Sequence, residues 1–394
     1  MDGIETLPLC DGWAARDHGD MDADTVGRKS VEQLRESFDV RPGYLAACTS
    51  GVPPRQAVAA LRDDLDAWSA GTTTPLGYGA WAERGRAAYA RLVGVDVSRV
   101  AIGSQTSVMV GMIAASLPAG AEVIVVEGDF SSMVFPFLVR DDLVVRHVPM
   151  GGLADAVGST TALVAFSLVQ SATGEIAGAD AIVAAARAAG ARTLCDTTQA
   201  AGWMPVDASR FDATVCHAYK WLCAPRGVAL LTVSESFADE LVPTAAGWYA
   251  GDDVWGSCYG PAMTLAPDAR RFDVSPAWQA WVGATTSLEL FAAVPAEEVR
   301  AYTGGLADTL RTRLGLPLTG SAIVTWPDAT GVDAAALAAA GIVASSRAGR
   351  ARVAFHVWND EREVERVCAA LGRGAAADLR IPADWAAEYG AYAI

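Results

Sequence analysis

The 394-residue sequence predicts an α/β fold, with a large domain built on a mostly parallel β-sheet and a smaller α+β domain at the C-terminal end. Two observations predict this class. Short β-branched segments alternate with helix-length segments over the middle of the chain, which is typical of βα units and a parallel sheet with helices on both faces. The run Val123-Ile124-Val125-Val126 is apolar throughout, as expected of a strand that is buried on both sides.

The predicted elements follow one another regularly. Strands are predicted at 99–102, 121–127, 162–168, 192–195, 213–216 and 228–233. Helices are predicted at 58–68, 81–93, 107–117, 179–189 and 278–293, with a loop at 71–79. After residue 250 the alternation stops in a loop-rich stretch, and the last hundred residues resemble a compact α+β unit. We therefore expect an N-terminal arm (1–44), a large domain (45–290) and a small C-terminal domain (291–394).

Charge and hydropathy exclude several classes of partner. The net charge of −16 argues against nucleic acid and anionic membranes, because both repel an acidic surface. No apolar run reaches membrane-spanning length, and the first twenty residues lack the basic and apolar regions of a secretory signal. The sequence predicts a cytoplasmic protein that binds neither nucleic acid nor membrane.

The basic residues are distributed unusually. Lysine occurs only at Lys29 and Lys220, and arginine supplies every other basic side chain. Arginine replaces lysine on most surfaces, but it cannot form an imine or release its proton near neutral pH. Neutral drift, in which the lysine has no function, is one explanation for its presence in mid-chain. A chemical role for Lys220 is the other.

Four features stand where predicted strands end, which is where ligands of open α/β sheets bind. The turn 103–107 is small and polar and precedes a helix, so its backbone N–H groups suit an anion, although a plain helix cap is the commoner role. Phe130 offers an aromatic face, Asp196 a carboxylate and Lys220 an amine. We expect these groups to share one site.

Pyridoxal 5′-phosphate presents a matching set of groups: a phosphate, a flat ring, a ring nitrogen and an aldehyde. A buried carboxylate such as Asp196 is costly unless it meets a cation, which a protonated ring nitrogen supplies. Lys220 would form the Schiff base with the aldehyde and later move the α-proton of the substrate. The sequence thus predicts this cofactor, with Lys220 and Asp196 as catalytic residues.

The sequence resembles the class V aminotransferases, a family of fold type I pyridoxal-phosphate enzymes that includes cysteine desulfurases, selenocysteine lyase, kynureninase and isopenicillin N epimerase. The most specific part is 193–233, where Asp-x-x-Gln is followed by a lysine about two dozen residues later. The resemblance implies that Asp196 pairs with the ring nitrogen, Gln199 bonds the ring hydroxyl and Lys220 forms the Schiff base.

The resemblance also implies which residues bind the phosphate. It assigns phosphate contacts to Gln105 and Thr106 in the turn and to Tyr219 next to the lysine. His217 stands where the desulfurases carry a phosphate-binding serine. Ser275 replaces the threonine of a family segment that crosses to the neighbouring subunit and caps its phosphate. A homodimer with a shared active site is therefore expected.

The remaining assignments concern the ring and the substrate. Phe130 matches the ring-stacking position, and Ser171 falls where the desulfurases have an asparagine near the cofactor. Arg352 matches the arginine that binds the substrate α-carboxylate, and its two-pronged guanidinium suits that group. A small-molecule amino-acid substrate is implied. Arg347 and Arg350 would suit a second acidic group of that substrate, although solvated charges are the commoner explanation.

The reaction itself is less specified by the residues. Desulfurases carry a nucleophilic cysteine shortly before the carboxylate-binding arginine, whereas residues 344–350 contain none. A persulfide-forming desulfurase is therefore not expected. The first choice is a β-eliminating carbon–sulfur lyase without a persulfide cysteine, and the alternative is an aminotransferase or epimerase. A non-catalytic protein that keeps the fold is the third possibility.

We expect the cofactor to be attached through Lys220 alone. Borohydride reduction of the purified protein should fix the cofactor covalently, and peptide mass spectrometry should locate it on the segment that contains Lys220. Lys29→Arg should leave the visible absorbance and the adduct unchanged. An adduct on Lys29, or no adduct at all, would contradict the assignment.

Overall fold

The computed structural model describes residues 28–373, and its centre is a seven-stranded sheet with the strand order β1-β7-β6-β5-β4-β2-β3. Strand β7 runs antiparallel to both of its neighbours, and every other neighbouring pair is parallel, so the predicted mostly parallel sheet is confirmed. The strands of this sheet are β1 Val100–Gly103, β2 Glu122–Val126, β3 Val144–Val148, β4 Thr161–Ser167, β5 Arg192–Asp196, β6 Ala213–His217 and β7 Ala229–Val233.

Helices cover both faces of the sheet. Successive strand residues point to opposite faces, so Ile124 belongs to one apolar cluster while Val123 and Val125 belong to another. The helices described are α1 Val31–Arg35, α2 Arg55–Ser69, α3 Pro75–Leu92, α4 Thr106–Ser116, α5 Ser131–Leu138, α6 Leu153–Ala156, α7 Ala179–Ala189, α8 Glu235–Ala238, α9 Trp278–Ala292, α10 Ala296–Leu314, α11 Val332–Ala339 and α12 Glu361–Ala370.

The predicted loop at 71–79 is wrong in its second half. Thr74 caps α3, because its hydroxyl oxygen accepts a hydrogen bond from the Gly77 N–H at 3.0 Å. Pro75 occupies the first helical position, where its missing N–H costs nothing. Helix α3 therefore begins several residues before the predicted start at residue 81.

Several elements were not predicted, and helix α5 and strand β3 show two reasons why. Helix α5 contains Pro136, which interrupts the helical pattern in the sequence. Strand β3 is the edge strand beside β2, and its partly exposed residues include Arg146 and His147. A short, polar edge strand lacks the continuous apolar character by which the buried strands were recognised.

The C-terminal part of the chain forms a second, antiparallel sheet with the order β8-β10-β9. Its strands are β8 Ile323–Pro327, β9 Ser345–Arg347 and β10 Arg350–Ala354. The N-terminal segment joins this sheet through bridges from Tyr44 to Val343 and from Ala46 to Ala354. The division at residues 44 and 290 remains a prediction, and parts of the expected arm (1–27) and small domain (374–394) lie outside the described residues.

The helices between residues 28 and 373 include none that is both long enough and apolar enough to cross a membrane.

One buried ion pair joins α3 to the segment that precedes α9. The side chain of Arg86 is 1% exposed, and its Nη2 lies 2.6 Å from Oδ2 of Asp273. Oδ1 of Asp273 also accepts a hydrogen bond from the Ile102 N–H in β1 at 2.7 Å. The next residue, Val274, donates its N–H to the Ile102 carbonyl at 3.2 Å. The pair thus fixes the backbone that leads to Ser275 beside the end of β1.

We expect Asp273→Asn to lower the free energy of unfolding by about 3–5 kcal/mol, because it leaves the Arg86 guanidinium buried beside a neutral amide. Glu83 pairs with Arg86 only from the solvent side, where its own side chain is 49% exposed. The matched control is Glu289→Gln, which breaks the more exposed pair with Arg84 and should cost less than about 1 kcal/mol. Chemical denaturation measures both, and equal losses would contradict a structural role for the buried pair.

Candidate active site

A pocket lies at the carboxyl ends of β4, β5 and β6, where the prediction placed the site. The register pairs Ser167 with Asp196 across β4 and β5, and Asp196 with Val215 across β5 and β6. The pocket is lined by Thr106, Phe130, Ser132, Ser167, Ser171, Asp196, Thr198, Gln199, His217, Tyr219 and Lys220. Eight of the predicted site residues therefore lie together.

Asp196 is the last residue of β5 and is 6% exposed. Burial raises the pKa of this carboxyl, while hydrogen bonds from Thr198 and the charge of Lys220 act in the opposite direction. The Thr198 N–H donates to Oδ1 of Asp196 at 2.8 Å. The carboxylate thus accepts one hydrogen bond from the backbone and has Lys220 as a cationic neighbour. A further cation bound beside it would be stabilised by its charge.

Lys220 follows β6 and is 7% exposed. Its Nζ lies 5.2 Å from the centre of the Phe130 ring and 5.7 Å from that of Tyr219. Burial lowers the pKa of the Lys220 amine, and the attraction of Asp196 only partly offsets this effect. The backbone here has no spare room, since a Cβ added at Gly51 would collide with the carbonyl oxygen of Lys220.

His217 provides a buried polar atom, Nε2, that is inaccessible to solvent and makes no hydrogen bond with any of residues 28–373. Burial, with help from the charges of Arg226 and Lys220, lowers the pKa of His217 to about 4, so the ring is neutral at pH 7. The ring packs edge-on against Tyr219, with 4.5 Å between the two centres. A buried polar atom without a partner in a pocket points to a ligand.

Gln199 is held by two protein contacts. Its Nε2 donates to the Cys48 carbonyl at 2.9 Å, and its Oε1 accepts from Nε1 of Trp221 at 2.8 Å. Trp221 follows Lys220 directly, and its carbonyl accepts a hydrogen bond from Nε2 of His356 at 2.9 Å. The amide nitrogen of Gln199 keeps a second hydrogen for a ligand.

Arg352 lies on β10 and reaches the wall of the pocket from the small sheet. It is 2% exposed, and its guanidinium donates to the Ser171 carbonyl, to Oγ1 of Thr49 at 2.9 Å and to Oγ of Ser345 at 2.9 Å. Among residues 28–373, no Asp or Glu forms an ion pair with it. A buried guanidinium without a counter-charge is costly, so an anionic ligand would stabilise it.

Two predicted residues lie elsewhere. Gln105 is exposed at the N-cap of α4 and does not line the pocket, although its neighbour Thr106 does. Ser275 is exposed and also stands outside the lining. The described chain thus brings neither side chain into its own pocket.

Three lining residues were not predicted: Ser132, Ser167 and Thr198. The prediction also missed Asp129, whose Oδ1 accepts the Ser167 hydroxyl at 2.7 Å and the Phe130 N–H at 2.8 Å. Burial raises the pKa of Asp129 to about 6. Its position immediately before Phe130, after a buried strand, was the available signal.

These residues fit pyridoxal phosphate. The pocket combines a buried amine at Lys220, a buried carboxylate at Asp196 and an aromatic face at Phe130. Thr106 opens helix α4, whose N-terminal backbone N–H groups suit a phosphate, and Nε2 of His217 lacks a partner within the described part of the chain. The donors, the ring and the two charges match the functional groups of the cofactor.

Comparisons with known proteins agree with this chemistry. The family described as aminotransferase class-V matches residues 83–324. A kynureninase of Salinispora tropica is 30% identical over 371 residues, which cover 82% of this chain and 84% of that enzyme. An isopenicillin N epimerase of Streptomyces clavuligerus is 28% identical over 257 residues, which cover 58% of this chain and only 63% of the epimerase.

A solved structure supports the fold. The cysteine desulfurase CsdA of Escherichia coli superposes with a TM-score of 0.75 at 17% identity, over 87% of this chain and 98% of that one. The predicted fold type I is therefore confirmed. Enzymes of the matched family depend on pyridoxal 5′-phosphate, so the predicted cofactor and the prediction of an enzyme are confirmed as well. The chain belongs to the class V aminotransferase family of pyridoxal-phosphate-dependent enzymes.

Proposed function

We propose that this enzyme is a lyase that removes the α-proton of an amino acid and expels a sulfur-linked, or other, leaving group from Cβ. The observation that carries the proposal is a buried amine and a buried carboxylate in one pocket, with a buried arginine bonded to the pocket wall that has no counter-charge among residues 28–373. These are Lys220, Asp196 and Arg352.

In this proposal the lining residues hold the cofactor. Lys220 would bind it covalently, Asp196 would serve the ring nitrogen and Gln199 the ring hydroxyl, and Phe130 and Ser171 would contact the ring. The phosphate would be held by the N-terminus of α4 and the side chains of Thr106, His217 and Tyr219. When bound, pyridoxal phosphate withdraws electrons from Cα of the substrate and so weakens the bonds at that carbon.

Lys220 is suited to move the α-proton. A base must be deprotonated to accept a proton, and burial lowers the pKa of the Lys220 amine from its usual range. The neutral amine is therefore more abundant near pH 7 than it is for an exposed lysine. The negative charge of Asp196 favours the protonated amine and so limits the lowering of the Lys220 pKa.

Arg352 is suited to the substrate α-carboxylate. Its present acceptors include the Ser171 carbonyl and the Thr49 hydroxyl, both neutral, so a carboxylate would be a stronger acceptor for the same guanidinium. Ser345 holds Nε and fixes the plane of the fork. A substrate held at Arg352 and facing Lys220 would have its Cα–H bond oriented for proton transfer.

The hairpin formed by β9 and β10 supports elimination without sulfur capture. Residues 344–350 contain no cysteine, so this segment offers no thiol that could take sulfur from the substrate. The leaving group would depart freely, and the products from a cysteine conjugate would be a thiol, pyruvate and ammonia.

An aminotransferase or an epimerase is the second candidate. The similarity to an isopenicillin N epimerase favours it, because removal of the α-proton, to which Lys220 is suited, is common to these reactions. The proposal also includes a cytoplasmic homodimer. The exposed Ser275, held near the end of β1 by Val274, would then cap the phosphate of the partner subunit.

A product screen tests the reaction type. The purified holoenzyme is incubated with cysteine, its S-conjugates and a panel of other amino acids. We expect release of pyruvate, ammonia and thiol from at least one S-conjugate without an added keto acid. Amino-group transfer that requires a keto acid, or inversion at Cα without any release, would reject the lyase in favour of the second candidate.

We expect Arg352→Lys to raise KM and lower kcat, since the ammonium keeps the charge but loses the two-pronged contact. The combined loss in kcat/KM should be on the order of a hundredfold, or about 3 kcal/mol. Cofactor absorbance should stay normal, because Arg352 does not line the pocket. The exposed Arg300→Lys in α10 is the matched control and should change neither constant.

If Arg352→Lys instead loses the cofactor or unfolds while the remaining protein keeps its substrate affinity, Arg352 is a structural residue and the clamp is rejected.

A further inference from the structure

Three arginines share one face of the small sheet. In the antiparallel register, Arg352 lies opposite Ser345, and Arg350 lies opposite Arg347. Directly opposed residues, and residues two apart on a strand, point to the same side. The other side carries the apolar residues of a separate core, including Val353 and Ala351. Arg347, Arg350 and Arg352 therefore form a row.

This face looks onto the loop that forms part of the pocket wall. Arg352 donates to the Ser171 carbonyl, and Ser171 lines the pocket. Thr325, opposite Arg352 on β8, donates its hydroxyl to the Thr173 carbonyl at 3.1 Å. A Cβ at Gly174 would lie 2.7 Å from the Ile323 carbonyl oxygen, so loop and sheet are in close contact. Within the row, Arg352 therefore lies beside the pocket wall, and Arg347 lies farther from it.

Arg347 is the outer member of the row and is exposed. Its Nη1 donates to the carbonyl of its neighbour Ser346 at 2.7 Å, and none of the Asp or Glu residues between 28 and 373 forms an ion pair with it. Its charge is close enough to contribute to the lowered pKa of Arg352. Arg350, beside it, directs Nε to the Thr325 hydroxyl at 3.3 Å.

We propose that Arg347, supported by Arg350, binds a second acidic group on the side chain of the substrate. The inference rests on the proposed function, in which Arg352 holds the α-carboxylate. Arg347 lies diagonally across the strand pair from Arg352, and such residues are ~7–8 Å apart, so the second acid would stand several bonds away from the first. The substrate class is an amino acid with a carboxylate or similar anion at the far end of its side chain.

Calorimetric titration of the holoenzyme tests this inference with simple acids. Succinate, glutarate and adipate are compared with butyrate, valerate and hexanoate, the monocarboxylates of equal length. We expect at least one dicarboxylate to bind roughly tenfold more tightly than its monocarboxylate. Arg347→Gln should remove that advantage and leave monocarboxylate affinity within about twofold. Arg300→Gln, an exposed arginine on α10, is the charge-matched control and should keep the advantage.

The outcomes separate this inference from the proposed function. Equal affinities for the two series, or an equal loss of both in Arg347→Gln, would overturn the second anion site and show that Arg347 is only a solvated charge. Loss of both series in Arg352→Gln would meanwhile support the α-carboxylate clamp on its own. Retention of both series in Arg352→Gln would overturn the clamp, and the second site would fall with it.

Discussion

The site depends on keeping Asp196 charged at the buried end of a strand. Burial alone favours the neutral acid, and the donors from Thr198 and the charge of Lys220 oppose that tendency. The same desolvation favours a neutral amine at Lys220. Each charge therefore stabilises the other at a position where both side chains are buried. A ligand that places a cation beside Asp196 and bonds to the amine of Lys220 would lower the desolvation cost of both residues.

Three parts of the chain surround Asp196 and Lys220: the N-terminal segment, the large sheet with its loops and the small sheet. Gln199 binds the backbone at Cys48, and Trp221 binds Gln199 and His356. Arg352 adds a link from the small sheet to Thr49. The N-terminal segment therefore lies between the two sheets and contacts both. The lysine stands on a backbone that is fixed from several sides, as a catalytic group requires.

Most of the large sheet could be predicted, because its buried strands are short, β-branched and apolar on both faces. The same rule missed β3, a partly exposed edge strand, and the proline in α5 concealed that helix. The start of α3 was misplaced because the cap at Thr74 and Pro75 was not recognised. Local sequence signals were present in each case, but they were weaker than the periodicity that was used.

The candidate site could be predicted where it contains a residue type that is scarce or unusually placed in the sequence. Lys220 stands out because lysine is scarce, and Asp196 because it ends a buried strand. The arginine row was only partly foreseen, since the common face of Arg347 and Arg352 depends on the hairpin register. Asp129 and Ser167 were missed because their contact joins the turn after β2 to the end of β4, which are 38 residues apart in the sequence. The proposed role of Ser275 depends on a second chain, so one chain cannot specify it.

We propose that Asp196 keeps the ring nitrogen of the cofactor protonated. The most direct test is nitrogen NMR of the holoenzyme loaded with pyridoxal phosphate that carries ¹⁵N in the ring. We expect a protonated nitrogen throughout the pH range in which the protein stays folded, and loss of that proton in Asp196→Asn at the upper end of the range. A wild-type nitrogen that is already unprotonated at neutral pH, or an unchanged signal in the variant, would contradict it.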